Sequence, residues 1–283
     1  MTTVLYSTQA PTGAARLSSL GASTGTAGSD TPGPIATLQL DNPRHLNALS
    51  RQLTGDLVEA LHRAKRDRCR VVVLRAAPGV TTWSAGHDVN ELPGDGQDPL
   101  LWNSPLEKLL RAVRSAPFPV IAAVEGGVWG GACDLVSACD MVVATPGATF
   151  AITPAKLGVP YNAAGVSHFL GVLPLHVVKE MFFTAQPISA QRAEQYGLVN
   201  RIADPAHTLA EVTTDLAAQV ARTAPLVVQA IKAEIAALTD ASPITPEVFE
   251  RLTALRRAAW SSADYAEGLA SFHERRPAHF TGK

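Results

Sequence analysis

Two short glycine-bearing segments, residues 83–88 (WSAGHD) and 125–134 (EGGVWGGACD), carry the densest potential chemistry in this chain. Each reads as a strand entering a glycine turn and then a helix. Such a turn leaves a backbone N–H pointing outward, where the helix dipole favours negative charge. Two donors of this kind converging on one point make an oxyanion hole, which stabilises charge developing on a carbonyl oxygen. Gly86 and Gly131 lack a Cβ and so permit close approach of a ligand to the backbone. The same spacing also fits two ordinary strand-to-helix turns of an α/β protein. Glycines 126, 127, 130 and 131 do not form GxGxxG, so a dinucleotide fingerprint is absent.

The residues beside the turns must decide the reaction. Ser84, His87 and Asp88 are too close together at a strand end to give base-to-nucleophile geometry, and no GxSxG elbow exists. No third ligand at recognisable spacing joins His87 and Asp88, so no metal is expected. His87 is then either a polar residue tolerated at a turn or the donor of a backbone N–H that acts. Asp134 lies one helical turn inward from Gly131, placed for a general base but equally for a capping carboxylate. Thr153 and Tyr161 flank residues 154–160 (PAKLGVP). Tyr161 either hydrogen-bonds within the core or donates to a substrate carboxylate or enolate. Cys133 and Cys139 are expected to pack rather than react, because nothing basic lies beside them in sequence.

The elements that must position these residues follow from periodicity. Residues 7–33 are rich in Ser, Thr, Gly, Ala and Pro and predict a flexible loop or tail. Strands are expected at 35–40, 70–75, 119–124, 141–144 and 149–152. Helices are expected after Ser50, with Leu53, Leu57, Val58 and Leu61 on one face, and at 106–113 and 132–138. The last third reads as helices over 175–184, 189–196, 208–222, 226–238 and 246–260. The expected organisation is a flexible N-terminal segment at 1–33 with an expanded hairpin loop, a core with the site at 34–204, and a helical region at 205–283. No repeat of fixed period is visible.

Composition limits the partners. The formal net charge is −1, so no global field recruits nucleic acid or an anionic membrane. Three cysteines without a CxxC pair argue against a disulfide framework or a zinc site. With no signal-peptide pattern and no run of about 18 apolar residues, a cytoplasmic location is expected.

The run SAGHD, then the stretch from Val124 to Pro160, then PISAQRAEQYGLVNRI, resembles the enoyl-CoA hydratase/isomerase (crotonase) superfamily. NALS at 47–50 and FHERRPAHF at 272–280 add two more of its signatures. The resemblance implies an α/β fold, a spiral of ββα units with a helical C-terminal region, assembled as a homotrimer or dimer of trimers. It implies an acyl-CoA substrate whose thioester oxygen is held by the N–H groups of His87 and Gly131. Backbone at Ala85, Gly86, His87, Asp88 and Val89 would contact the coenzyme, and Arg275 would meet its phosphate. No cofactor is implied, since coenzyme A is part of the substrate.

Hydratases of this superfamily use two glutamates. Here Asp134 replaces the first, and Ala155 occupies the second position. The segments SAGHDVNELPGDGQDPL, EGGVWGGA and TPAKLGVPYN look instead like decarboxylating members that act on methylmalonyl-type thioesters. On that resemblance Tyr161 would hold the substrate carboxylate, Thr153 would line the pocket, and Trp129 would help close it. Hydration or isomerisation by Asp134, and a non-catalytic acyl-CoA- or RNA-binding role, are the alternatives.

Overall fold

The computed structural model describes residues 2–9, 33–93, 98, 100–204, 207–239 and 246–282. The expected flexible segment falls largely outside them. Its two flanks form the hairpin strands β1 (Val4–Gln9) and β2 (Ile35–Leu40), paired antiparallel from Val4↔Leu40 to Gln9↔Ile35.

The chain then repeats one pattern. A strand of a long sheet is followed by a short strand of a second sheet and then by a helix or helical turn. The pairs are β3 (Val71–Ala76) with β4 (Thr82–Ser84), β5 (Val120–Val124) with β6 (Gly127–Trp129), and β7 (Met141–Ala144) with β8 (Thr149–Ala151). With β9 (Ile188–Ser189) and β10 (Arg201–Ile202), the sheets run β1-β2-β3-β5-β7-β10 and β4-β6-β8-β9. All pairings are parallel except β1–β2 and β8–β9.

The central strands of the long sheet are buried on both faces, which explains near-continuous apolar runs such as VVVLRA in β3. Alternation divides those runs between two cores. Ala36, Leu38, Val72, Leu74, Val120, Ala122 and Val142 face the helices α1 (Arg51–Arg66), α2 (Pro105–Arg114) and α3 (Gly131–Ala138). Ile35, Val71, Val73, Ile121 and Val143 face Leu216, Ala217 and Ala221 of a C-terminal helix, Leu209–Ala221. Ser50 caps α1 as expected, accepting from Leu53 N at 3.2 Å.

In sequence, α4 (Ala163–Leu170), α5 (Leu175–Thr184) and α6 (Ala190–Gln195) come between β8 and that helix. The C-terminal helix on the sheet is α7, followed by α8 (Pro225–Thr239), α9 (Pro246–Trp260) and α10 (Ala263–Glu274). Lys232 holds α8 to the core, donating to Asp140 Oδ2 at 2.7 Å and to the carbonyls of Val113 and Phe118. One expectation needs correction: the turn after β4 does not start an α-helix. Asp88 caps a three-residue 3₁₀ turn, Val89–Glu91, accepting from Asn90 N at 3.0 Å. The helix-dipole argument therefore applies at the second glycine turn alone.

Candidate active site

Because β4, β6 and β8 are parallel, they end on the same side. The segments leaving them bring Gly86–His87, Gly130–Gly131 and Thr153 together, far apart as they are in sequence. At Gly86 (φ +84), an added Cβ would lie 2.2 Å from Trp129 O and 3.1 Å from Gly131 N. At Gly131 it would lie 3.5 Å from His87 N and 3.0 Å from Leu106 Cδ2. The two N–H groups thus flank one small gap. Gly131 opens α3, where an N–H has no intrahelical partner. Among the described residues neither His87 N nor Gly131 N donates a hydrogen bond.

The first turn is braced from behind by NALS. Leu49 N donates to Gly86 O at 2.7 Å, and Ala85 N to Leu46 O at 2.9 Å. Ser84 is fully buried and gives its hydroxyl to Asn47 O at 2.7 Å, while Asn47 Nδ2 donates to Trp83 O at 3.0 Å. Ser84 is therefore structural.

The gap opens into a pocket of about 70 Å³. Ala85, His87 and Val89 line it from the first turn, Gly131 and Asp134 from α3, and Thr153 and Tyr161 from the third segment. Gly86 and Asp88 stand behind the wall as turn and cap. Arg275 ends α10 in left-handed backbone (φ 53), exposed and away from the pocket lining. Trp129 does not line the pocket either. Its ring folds back on Gly127, where an added Cβ would meet Cζ2 at 2.2 Å. Leu92, Leu100, Leu106, Leu157 and Val159 form the apolar walls instead. Against Leu157 rests α10, close enough that a Cβ on Gly268 would strike the Leu157 carbonyl oxygen at 2.1 Å.

Among the described residues the imidazole of His87 has no hydrogen-bond partner on either nitrogen, and burial pushes its pKa down, favouring the neutral ring. Tyr161 is fixed edge-to-face against Phe182, with ring centroids 5.2 Å apart, and against Phe169. Its hydroxyl donates to Asp134 Oδ2 at 3.3 Å, and burial raises its pKa well above the usual value. Asp134 Oδ1 lies 2.7 Å from His168 Nδ1, and His168 Nε2 lies 3.1 Å from Arg114 Nη1. A guanidinium only donates, so Nε2 accepts and the imidazole proton sits on Nδ1, facing Asp134. Burial raises the Asp134 pKa, while His168 and Tyr161 pull it back.

Sequence reasoning missed Glu107 and Asn162, which also line the pocket. Glu107 is 4 % exposed, and burial raises its pKa. The donor Asn162 Nδ2 pulls that pKa down, the Asp134 charge pushes it up, and His168 and Arg111 lower it. A carboxyl pKa raised in the folded state makes that state hold its proton more tightly than the unfolded chain. Stability is then lost as pH climbs from about 4 through the raised value. Glu107→Gln removes this penalty, so its Tm advantage over the wild type should widen from pH 4 to pH 8 in thermal melts. A constant difference would show that Glu107 titrates normally.

Cys133 is buried, with Sγ 3.1 Å from Val128 O, and burial pushes its pKa up, as expected for a packed thiol. Among the described residues no cluster of three or more His, Cys, Asp or Glu could hold a metal, and no helix is long and apolar enough to cross a membrane.

Two sheets spiralling through ββα units, with paired N–H donors at the ends of the short strands, define the crotonase architecture. The model of the enoyl-CoA hydratase/isomerase family matches residues 30–283, and the chain belongs to that family. It is 40% identical over 248 residues to methylmalonyl-CoA decarboxylase of Escherichia coli K12, covering 88% of this chain and 95% of that protein. Enoyl-CoA hydratase domain-containing protein 3, mitochondrial, of Xenopus laevis is 33% identical, covering 86% and 81%. Methylmalonyl-CoA decarboxylase solved with 2-nitronate-propionyl-CoA superposes with a TM-score of 0.86 at 39% identity, covering 88% of this chain and 95% of that one. The same enzyme solved with 2S-carboxypropyl-CoA gives the same TM-score and coverage.

Proposed function

We propose that the protein decarboxylates methylmalonyl-CoA, or a close malonyl-type thioester, to propionyl-CoA without a cofactor beyond the coenzyme A of its substrate. The observation that carries this is the pair of unengaged N–H groups, His87 and Gly131, opening on an apolar pocket that also holds Tyr161. The 40% identity to a methylmalonyl-CoA decarboxylase supports it independently.

Loss of CO₂ from a 2-carboxyacyl thioester leaves an enolate, so much of the barrier is charge accumulating on the thioester oxygen. Two fixed donors meet that charge as it forms. No base is required, because the leaving group is already a carboxylate, and Ala155 in place of a second glutamate is then no obstacle. Tyr161 holds the carboxylate out of the thioester plane, where the breaking C–C bond overlaps the carbonyl π system. Its 3.3 Å bond to Asp134 is long, and the incoming carboxylate competes for the same hydroxyl. Thr153 lines the acyl seat, and the leucine walls keep water from the carboxylate.

The rest of the ligand lies along the backbone of residues 85–89, with Arg275 against a coenzyme A phosphate, either its own or that of a neighbouring subunit. In that assembly, a homotrimer or a dimer of trimers, the helical region 205–283 supplies the contacts and closes over the coenzyme. Support comes from α8, which buries none of its residues and leaves Leu226, Val227, Ile231, Ile235 and Leu238 exposed. Location in the cytoplasm completes the reading.

Mass spectrometry after separate incubation with methylmalonyl-CoA and crotonyl-CoA tests the reaction. The expected result is propionyl-CoA from the first and no hydration of the second. A roughly 10- to 100-fold slower decarboxylation is expected in Tyr161→Phe, the loss of a hydrogen bond to a charged group. Hydration of crotonyl-CoA without decarboxylation would overturn the proposal and make Asp134 and Glu107 an acid–base pair.

A further inference from the structure

Decarboxylation ends with an enolate that must gain a proton at C2, and two carboxyl groups line the pocket that would hold it. Their hydrogen bonds differ. Both oxygens of Asp134 accept, one from His168 Nδ1–H and one from the Tyr161 hydroxyl, and Arg114 fixes the imidazole in the donating tautomer. That pattern belongs to an ionised carboxylate.

Glu107 is held otherwise. The Oδ1 of Asn162 accepts from Gly165 N at 2.7 Å to cap α4, which orients Nδ2 toward Glu107 Oε1 and Leu100 O. Glu107 Oε2 has Arg111 Nη1 at 4.0 Å, beyond hydrogen-bonding distance. One oxygen of Glu107 thus accepts and the other is left to carry a proton. An ionised Asp134 in the same pocket, and a substrate bringing a further carboxylate, both favour the protonated form of Glu107.

Glu107 also forgoes an available local role. Ser104 and Glu107 have capping-box spacing, and Ser104 Oγ does accept from Glu107 N at 3.3 Å. Yet Ser104 N donates to Leu101 O, and the glutamate side chain turns into the pocket. At Thr208 and Glu211 the same spacing closes the full box. The residue beside Glu107, Leu106, is the side chain nearest an added Cβ on Gly131, so α2 borders the donor pair directly.

The geometry points to Glu107 as the acid that protonates the enolate at C2. In that step the enolate oxygen re-forms the thioester C=O and the C2 electron pair takes the proton from Glu107 Oε2. Glu107 leaves as a carboxylate and regains a proton from solvent when product departs. This assignment rests on the decarboxylase reading, but its chemistry can be observed without a carboxylated substrate. In reverse, ionised Glu107 removes a C2 proton from propionyl-CoA.

Wild type, Glu107→Gln and Glu107→Asp should be incubated with propionyl-CoA in D₂O and C2 deuteration followed by mass spectrometry. The expected result is exchange in the wild type, about a hundredfold slower exchange in Glu107→Gln, and partial recovery in Glu107→Asp. Propionyl-CoA affinity and melting should show all three folded and able to bind. With methylmalonyl-CoA in D₂O, the wild type should place deuterium on one face of C2 and Glu107→Gln on both. Wild-type exchange and single-face deuteration in folded Glu107→Gln would overturn the assignment and return the proton to Asp134. Absence of exchange in the wild type would overturn it as well. Failure of the wild type to release CO₂ would remove the decarboxylase reading, while the exchange result would still decide for or against Glu107.

Discussion

Gly131→Ala keeps its backbone N–H and should fold normally, yet lose about 10²- to 10³-fold in kcat, a loss on the scale of one oxyanion donor. Position 131 has helical backbone, where alanine is favoured over glycine by about 1 kcal/mol. The new methyl meets Leu106 Cδ2 at 3.0 Å, the movable end of a side chain, so packing adjusts. It also stands 3.5 Å from His87 N, within the gap where the thioester oxygen would sit. Activity is therefore lost by occupation of the oxygen's seat, with Tm nearly unchanged. Gly86→Ala provides the contrast. Its Cβ would collide with backbone oxygen at 2.2 Å, and φ is +84, so both folding and activity should suffer. Steady-state kinetics with thermal melts separates the two. Near-wild-type kcat in folded Gly131→Ala would dismiss the proposed donor pair.

The largest stability effect is expected at Trp83. Its side chain is fully buried, and Nε1 donates to Ala123 O of β5 at 2.9 Å, joining the short sheet to the long one. Trp83→Ala opens a cavity and removes the hydrogen bond between the sheets, for a loss of about 3–5 kcal/mol in chemical denaturation. Trp83→Phe keeps most of the volume and should cost only about 1–2 kcal/mol. A loss below about 1 kcal/mol for the alanine variant would mean the sheets are held together elsewhere. Since Trp83 O also accepts from Asn47, the surviving alanine variant should show a looser first turn and reduced kcat.

The fold around this site is partly legible in the residues alone. The strands at 35–40 and 141–144 fall where periodicity predicts, as does the helix at 175–184, because each carries an unbroken apolar signal. The repeating ββα unit was hidden by unequal connections, long between β4 and β5 and short between β6 and β7. The helix expected after His87 is absent because Asp88 satisfies the local N–H groups in a single 3₁₀ turn. Trp129, expected to help close the pocket, instead folds its ring on Gly127, a contact that nothing in one dimension reveals. Glu107 was overlooked for a related reason. Behind a serine at helix-start spacing, a glutamate is the expected cap residue, and nothing in one dimension reveals that its carboxyl is directed elsewhere. Asn162 and His168, which set the two carboxyl groups apart, cap and sit on α4 respectively, a short helix without a strong apolar stripe.

The common ending of β4, β6 and β8 has a consequence for how such a molecule can diversify. Each successive strand pair contributes one part of the pocket, and those parts converge at the strand tips. On the proposed reading the donor pair comes from the first two, and the side chains that would face the acyl end come from α2, α3 and the third segment. A change at 107, 134 or 155 can therefore redirect the outcome while the charge-holding apparatus is inherited untouched. On that reading, new chemistry on this scaffold would arise from single side-chain changes around a fixed pair of backbone donors.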